Sequence, residues 1–349
     1  MTPVHTSYID HPSAWMARDV GGKVGLTRDL EPAHIEAIES LLRRVRGIPF
    51  QRITRQDFDH PALNAWLAEL REVIMNGRGI AVIRGIAAAR YDLGDLERIY
   101  WGFGTHLGIA VEQSAKGDRL GYVENGADDG RQRGYRSLQE LRMHTDSYEV
   151  VGLMGVRSAK SGGLSGMASS LAVHNEILRT RPELLVPLYR GYRYASGEAK
   201  FSSKAVTDEA IPIFSVTQGR VSCTYERLHI DAAAVTLGEP LPDDLVEAMD
   251  YFDQLAGRPD IAASFLLEPG EMLLFHNYTN LHSRTAFEDA PDRKRLLLRL
   301  WLDVPGGRPA DPSLSVRADT YRRIYAEAAI ERDKSALAPP TTTRHEEMQ

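Results

Sequence analysis

From about residue 120 onward the chain breaks into short runs rich in β-branched and aromatic residues, each bounded by turn signals. These runs are too short for the ten or more residues of 3.6-residue periodicity that a packed helix needs, so they read as strands. The predicted strands are 120–124, 150–157, 213–216, 220–225, 261–267, 271–275 and 295–302. Thr217-Gln-Gly-Arg220 reads as a hairpin connection and Glu268-Pro-Gly-Glu271 as a tight turn. Two helices interrupt the strands, at 170–180 and 242–256. The first third has a different texture. Residues 31–46 carry Ile35, Ile38, Leu41, Leu42 and Val45 at helical spacing. A second helix starts at Pro61, a good first-turn residue, and runs through Trp66, Leu67, Leu70 and Ile74 to 77. The run 79–84 reads as a buried strand and 93–106 as another helix. Many short strands after a helical start predict an α+β chain with a mainly β core, an antiparallel cupin-like jelly-roll with flanking helices packed on one outer face.

No repeat, low-complexity stretch or Gly/Ser linker divides the chain. The expectation is one domain over 1–335, with a helical part to about 110, a jelly-roll core at about 111–310 and a C-terminal helix at about 318–333. A flexible tail is expected at 336–349, where Pro339 and Pro340 precede three threonines. At 349 residues, 43% hydrophobic and 26% charged, the balance is that of a soluble globular protein. A net charge of −6 gives no basic surface for nucleic acid. With Cys223 as the only cysteine there is neither a disulfide framework nor a cysteine-based zinc site. The N-terminal stretch lacks the basic and apolar regions of a signal peptide, and no apolar run approaches the roughly 20 residues that span a bilayer. These features predict a cytoplasmic chain that acts on a small molecule, with no nucleic-acid or membrane partner.

The chemistry centres on Leu141-Arg-Met-His-Thr-Asp146, just ahead of the strand predicted at 150. In extended chain, residues i and i+2 point to the same side, so His144 and Asp146 can converge on one ion. A third ligand is available in Asn280-Leu-His282, placed just past the strand that ends near Phe275. Two histidines and one carboxylate leave three coordination positions open, the arrangement of non-haem Fe(II) oxygenases. A His-x-Asp pair on its own is common and carries little weight. His106, His174 and His229 have no partner at ligand spacing, and His174 lies on a helix, where packing or solvent exposure explains it.

Beyond His282, Arg295 and Arg299 interrupt an otherwise apolar strand. By alternation Arg295, Leu297, Arg299 and Trp301 share one face, opposite Leu296, Leu298, Leu300 and Leu302. Charged side chains rarely enter a core without a partner. Two inward guanidinium groups near a metal would suit a dicarboxylate, which arginine binds through two hydrogen bonds. The alternative is an amphipathic strand with its arginines facing solvent.

These residues resemble the TauD/TfdA family of Fe(II)/2-oxoglutarate-dependent dioxygenases, near its gamma-butyrobetaine-hydroxylase-like and clavaminate-synthase-like branch. The matching stretches are Gln113-Ser-Ala-Lys-Gly-Asp118, Gly134-Tyr135 with Glu140-Leu141 before His144-Thr-Asp146, Ser161-Gly-Gly163 with Ala168-Ser-Ser170, and Leu281-His-Ser-Arg-Thr-Ala-Phe-Glu-Asp289 with Leu297-Leu-Arg-Leu-Trp-Leu302. The resemblance covers about residues 79–310. It implies a double-stranded β-helix with iron at its mouth, and His144, Asp146 and His282 as the metal ligands and catalytic centre. It implies Arg295 as the clamp on the distal carboxylate of 2-oxoglutarate. Arg299 becomes a second contact to that co-substrate or an anchor for an acidic group of the substrate. Ser165 is placed as the hydroxyl that shares the distal carboxylate. Ser169 is the substitute, because the loop from Asp146 is shorter than in taurine dioxygenase; Ser170 reads as a helix N-cap.

Some positions depart from the family pattern. Arg142 precedes Met143 where Leu-Pro is frequent, Tyr148-Glu149 stands where small residues and Asp are common, and His276-Asn277 replaces an Asn-Asn pair. With Gln113, Tyr225 and Arg227, the residues Arg142, Tyr148 and Glu149 are candidates for the substrate pocket, a rim or surface position being the other reading. The implied activity consumes O2 and 2-oxoglutarate and releases succinate and CO2. It oxidises, as hydroxylation, an unactivated C–H bond of a small anionic or amino-acid-like molecule. Desaturation, cyclisation and dealkylation share that chemistry and stay open, as does a zinc or manganese hydrolase or isomerase on the same barrel. The resemblance also allows a homo-oligomer such as a dimer.

Overall fold

The computed structural model describes residues 3–114, 116–125, 138–195 and 206–337, the side chains of 331–337 aside. Gly134-Tyr135 and residues 338–349 of the expected tail lie outside the described residues. Among the described residues no helix is long and apolar enough to cross a membrane.

Two sheets face one another. The larger one runs Thr27–Asp29, Ile80–Arg84, Met272–His276, Val150–Arg157, Leu296–Asp303, and the free edge of that last strand pairs with Ile109–Ala110 and Gly121–Glu124. Only the first pair is parallel. The smaller sheet runs Ala262–Phe265, Ser165–Ser169, Asn280–Arg284, Leu141–His144, antiparallel throughout. Between them lies a core to which Val151, Leu273, Phe275, Leu297 and Trp301 contribute from one side and Met167, Ala263 and Phe265 from the other. This is the expected jelly-roll.

Helices cover both outer faces, not the one face expected, because each sheet has an apolar outer side to bury. Pro32–Val45, Pro61–Met75 and Leu93–Leu107 pack on the larger sheet against Ala81, Ile83, Met154, Leu274, Leu298, Leu300 and Leu302. Alternation along Leu297–Leu302 therefore sends Leu298, Leu300 and Leu302 to the helices and Leu297, Arg299 and Trp301 to the barrel interior. The first helix begins with a reciprocal cap, Glu31 accepting from the His34 backbone while the His34 ring accepts from the Glu31 N–H, and Pro32 follows at the first helical position. On the smaller sheet a second layer, Ser170–Thr180, Leu185–Arg190 and Asp243–Ala256, packs against Ala168 and Leu281 with the hairpin Phe214–Thr217/Arg220–Cys223.

The predicted elements recur with ends shifted by a few residues, and the differences matter for the site. Leu141–His144 and Asn280–Arg284 are strands in their own right, so His144 ends one strand and His282 lies inside another, not past a strand's end. The helix Arg227–Leu237 was not expected. Its signals were the Arg227–Asp231 pair one turn apart, the alanines at 232–234, and Gly238, which closes it at φ 68. The C-terminal helix, Ser315–Leu337, runs slightly longer at both ends than the expected 318–333.

Candidate active site

His282 and His144 are direct partners across the ladder between Asn280–Arg284 and Leu141–His144, with ring centroids 4.1 Å apart. Asp146 follows the edge strand by two residues and brings its Oδ2 to 3.6 Å from His282 Nε2. Among the described residues these three form the one group able to hold a metal, with ligand atoms all within 4.8 Å of one another. Each is held from behind. His144 Nδ1 donates to the Arg142 carbonyl at 2.8 Å, which leaves Nε2 as the free lone pair. Trp301 Nε1 donates to Asp146 Oδ2 at 2.7 Å. The Asp146 backbone is pinned by Asn277, whose Oδ1 accepts its N–H at 3.0 Å and whose Nδ2 donates to its carbonyl at 2.8 Å. Arg317, from the C-terminal helix, donates to the Thr145 carbonyl at 3.1 Å.

The electrostatics suit a cation. Burial alone would push the Asp146 carboxyl up, but its electrostatic interactions with His282, Arg299 and His144 and the Trp301 hydrogen bond outweigh it and hold it at about 2. Burial, then His144, lowers the His282 imidazole to about 3, against the opposing pull of Asp146. A carboxylate and two imidazoles converging on one point form a donor set that suits a divalent first-row metal.

The three residues line a pocket of about 270 Å³ that also contains Ser165, Arg284, Arg295 and Arg299. Arg295 is 4% exposed, and its Nη1 has no hydrogen-bond partner among the described residues. Burial, then the neighbouring Arg284, lowers its guanidinium to about 10, opposed by Asp289. A buried guanidinium with an unused donor edge is costly unless an anion completes it. The donor set and this edge together fit iron and a dicarboxylate. Arg299 is tied to Gln113: its Nε donates to Oε1 at 2.8 Å, and Gln113 Nε2 donates to the Arg299 carbonyl at 2.8 Å.

The remaining expected residues fall elsewhere. Ser169 is spent as the N-cap of the helix Ser170–Thr180, accepting from Ala172 N–H at 3.0 Å and donating to the Ser13 carbonyl; the cap is therefore Ser169, not Ser170. Tyr225 and Arg227 do not line the pocket. The chain turns into the Arg227–Leu237 helix there, so the Tyr225 hydroxyl donates to Asp253 at 2.6 Å and Arg227 pairs with Asp231, Asp250 and Asp253. Glu149 is buried rather than at the rim, 3.2 Å from His276 Nε2. Tyr148 packs behind the site against Trp301, with ring centroids 5.6 Å apart. Arg142 is exposed and contributes its carbonyl. The reading of residues one by one missed the positioning roles of Asn277, Arg317 and Trp301 and the presence of Arg284. Only Arg284 had a signal, two residues beyond His282 on one strand face.

The chain matches the family described as "Taurine catabolism dioxygenase TauD, TfdA family" over residues 44–301. FR-33289 synthase of Streptomyces rubellomurinus is 31% identical over 291 residues, 79% of this chain and 85% of that protein. Taurine hydroxylase-like protein SAT17 of Stachybotrys chartarum is 24% identical over 306 residues, 82% and 77% of the two chains. In fold the chain is similar to asparagine oxygenase in complex with Fe(II), (2S,3S)-3-hydroxyasparagine and succinate (TM-score 0.65, 15% identity, 79% of this chain and 93% of that one). It is also similar to the non-heme iron oxygenase OrfP in complex with Fe and alpha-ketoglutaric acid (TM-score 0.60, 14% identity, 83% and 99%). The sequence match over most of the chain, joined to this pocket, makes it a member of the TauD/TfdA family, a non-haem dioxygenase that works with Fe(II), 2-oxoglutarate and O2.

Proposed function

We propose that His144, Asp146 and His282 hold the iron and that the enzyme hydroxylates a C–H bond of a small anionic, amino-acid-like molecule. One observation carries the reading: three converging ligand atoms share a pocket with a buried arginine edge that no described residue uses. The bound iron, with 2-oxoglutarate and O2, supplies the oxidising chemistry. The chain's own residues bind and orient. Arg295 takes the distal carboxylate of 2-oxoglutarate and Ser165, buried in the same pocket, shares it. Arg299 lies four residues further along one strand, about 13 Å away at 3.3 Å per residue. Its guanidinium lies over the Trp301 indole that donates to Asp146, so Arg299 is assigned to the iron end of the pocket and the acidic group of the substrate. Leu153, Leu297 and Val123 form an apolar wall that excludes water from the reacting C–H bond. The product bound to asparagine oxygenase, a hydroxylated amino acid, supports the substrate class.

The test is anaerobic titration of the Fe(II)-loaded enzyme with 2-oxoglutarate, followed by its visible metal-to-ligand charge-transfer band. The wild type should give the band, and H144A and D146A should lose it together with O2-dependent succinate release. Full turnover by either variant sinks the assignment. A screen of amino acids and other small acids, beside compounds without an acidic group, by substrate-stimulated succinate release then identifies the substrate, and stimulation only by compounds without an acidic group would overturn the substrate class.

A further inference from the structure

We infer that the distal carboxylate of 2-oxoglutarate is gripped by two arginines, Arg284 together with Arg295, held on one phenyl ring, that of Phe287. The inference rests on the co-substrate placement proposed above. Arg284 ends the strand Asn280–Arg284 and lies two residues beyond His282, so both side chains serve the same face and both line the pocket. Its guanidinium carbon is 4.9 Å from the centroid of Phe287, and that of Arg295 is 5.1 Å from the same centroid. The two cationic groups are thus at most about 10 Å apart. Both arginines are buried, at 5% and 4% exposed, and Phe287 is buried with them.

The surroundings are shaped for an anion. Ser165 is the direct ladder partner of Arg284, which puts its hydroxyl beside the pair. Gly163, at φ +71, gives Arg295 its passage: a Cβ there would stand 2.9 Å from Arg295 Nε. Arg284 Nη2 donates to the Gln139 carbonyl at 2.5 Å, which fixes the plane of its guanidinium. Two like charges buried this close repel unless an anion lies between them. A carboxylate has the matching shape, since each of its two oxygens can accept from one guanidinium. Arg284 is a binding residue on this reading, not only a brace for the Gln139 carbonyl.

Two co-substrates separate the roles. 2-Oxovalerate keeps the chelating 2-oxo acid head and chain length of 2-oxoglutarate but ends in a methyl group. Both are titrated anaerobically into Fe(II)-loaded wild type, R284Q, R284K and R295Q, reading the charge-transfer band. R284Q should weaken 2-oxoglutarate about 10- to 100-fold, the loss of charge-assisted hydrogen bonds, and leave 2-oxovalerate within about twofold. R284K, which keeps the charge and the fold, should recover part of the loss. If R284Q and R284K bind both acids as the wild type does, or weaken both equally, the two-arginine grip is wrong and Arg284 only braces the strand. A wild type that does not distinguish the two acids would instead overturn the placement of the distal carboxylate at Arg295, a separate result.

Discussion

Asp146, a proposed metal ligand, shows how little of such a role is decided by a residue's own identity. Its carboxylate is free to rotate about the Cβ–Cγ bond, and the hydrogen bond from Trp301 Nε1 removes that freedom before any metal arrives. The indole is itself fixed, with the Arg299 guanidinium 4.2 Å from its centre and Tyr148 packed against it. Trp301→Phe keeps an aromatic ring, smaller than the indole, and deletes the donor. It should lower Fe(II) affinity about 10-fold, the scale of an outer hydrogen bond to a ligand, beside a lower melting temperature from the cavity it leaves in the core. Competition titration of Fe(II), or of Co(II) as its redox-stable stand-in, checks this. Unchanged affinity would mean that Trp301 acts through packing alone.

At the scale of elements, the helix Ser170–Thr180 carries a histidine whose role is structural. His174 is fully buried; its Nε2 lies 3.0 Å from the Tyr189 hydroxyl and its ring meets Phe214 edge-on. Burial, then His5, lowers its imidazole from 6.5 to about 3. The unfolded chain accepts a proton below pH 6.5 that the folded chain refuses down to about 3. Stability from this group is therefore complete above 6.5 and falls as the pH drops through that window, by up to about 1.4 kcal/mol per pH unit. His174→Gln keeps a polar contact to Tyr189 and cannot titrate. The variant should lose that slope, so its unfolding free energy should gain on that of the wild type as the pH falls from 6 to 4, read by urea denaturation at several pH values. Parallel pH dependences would show that His174 is protonated in the folded state. The strand Leu296–Asp303 is the opposite case, an element legible in advance. Its alternation placed Arg295, Leu297, Arg299 and Trp301 on one face, and the barrel interior is where that face lies.

Over the whole molecule the proposed iron site ties an edge to a core. Among the described residues Leu141–His144 is the outermost strand of the smaller sheet, joined on one side and through an irregular ladder, whereas Val150–Arg157 is paired on both sides in the larger sheet. An edge held by one ladder opens locally at low cost, and a metal bridging it to Asn280–Arg284 restrains that opening. Chelating the metal should speed amide exchange of residues 141–146 at least tenfold while 150–157 keeps its protection. Equal change in both segments would mean that the metal stabilises the fold globally.

The same geometry separates what could be read from residue order. Periodicity marked the first three long helices, the central strands and the inward arginine face, because burial on one side of an element leaves a repeat in its own residues. It missed Asn280–Arg284 as a strand. That segment's polar Asn, His, Ser and Arg serve the pocket and break the apolar alternation by which strands are recognised. Arg284 went unread for that reason, and Tyr225 and Arg227 were turned away from the pocket by a helix whose hydrophobic face is weak. Residue order carries the fold class, the His-Thr-Asp pair and the residues available to bind a diacid. It takes the folded chain to set His144 opposite His282 across a ladder, to orient Asp146 through Trp301 and Asn277, and to bring Arg284 and Arg295 to one ring, that of Phe287. An element's own pattern records which of its sides is buried. The register between distant strands, which sets what each side meets, is written in no single segment.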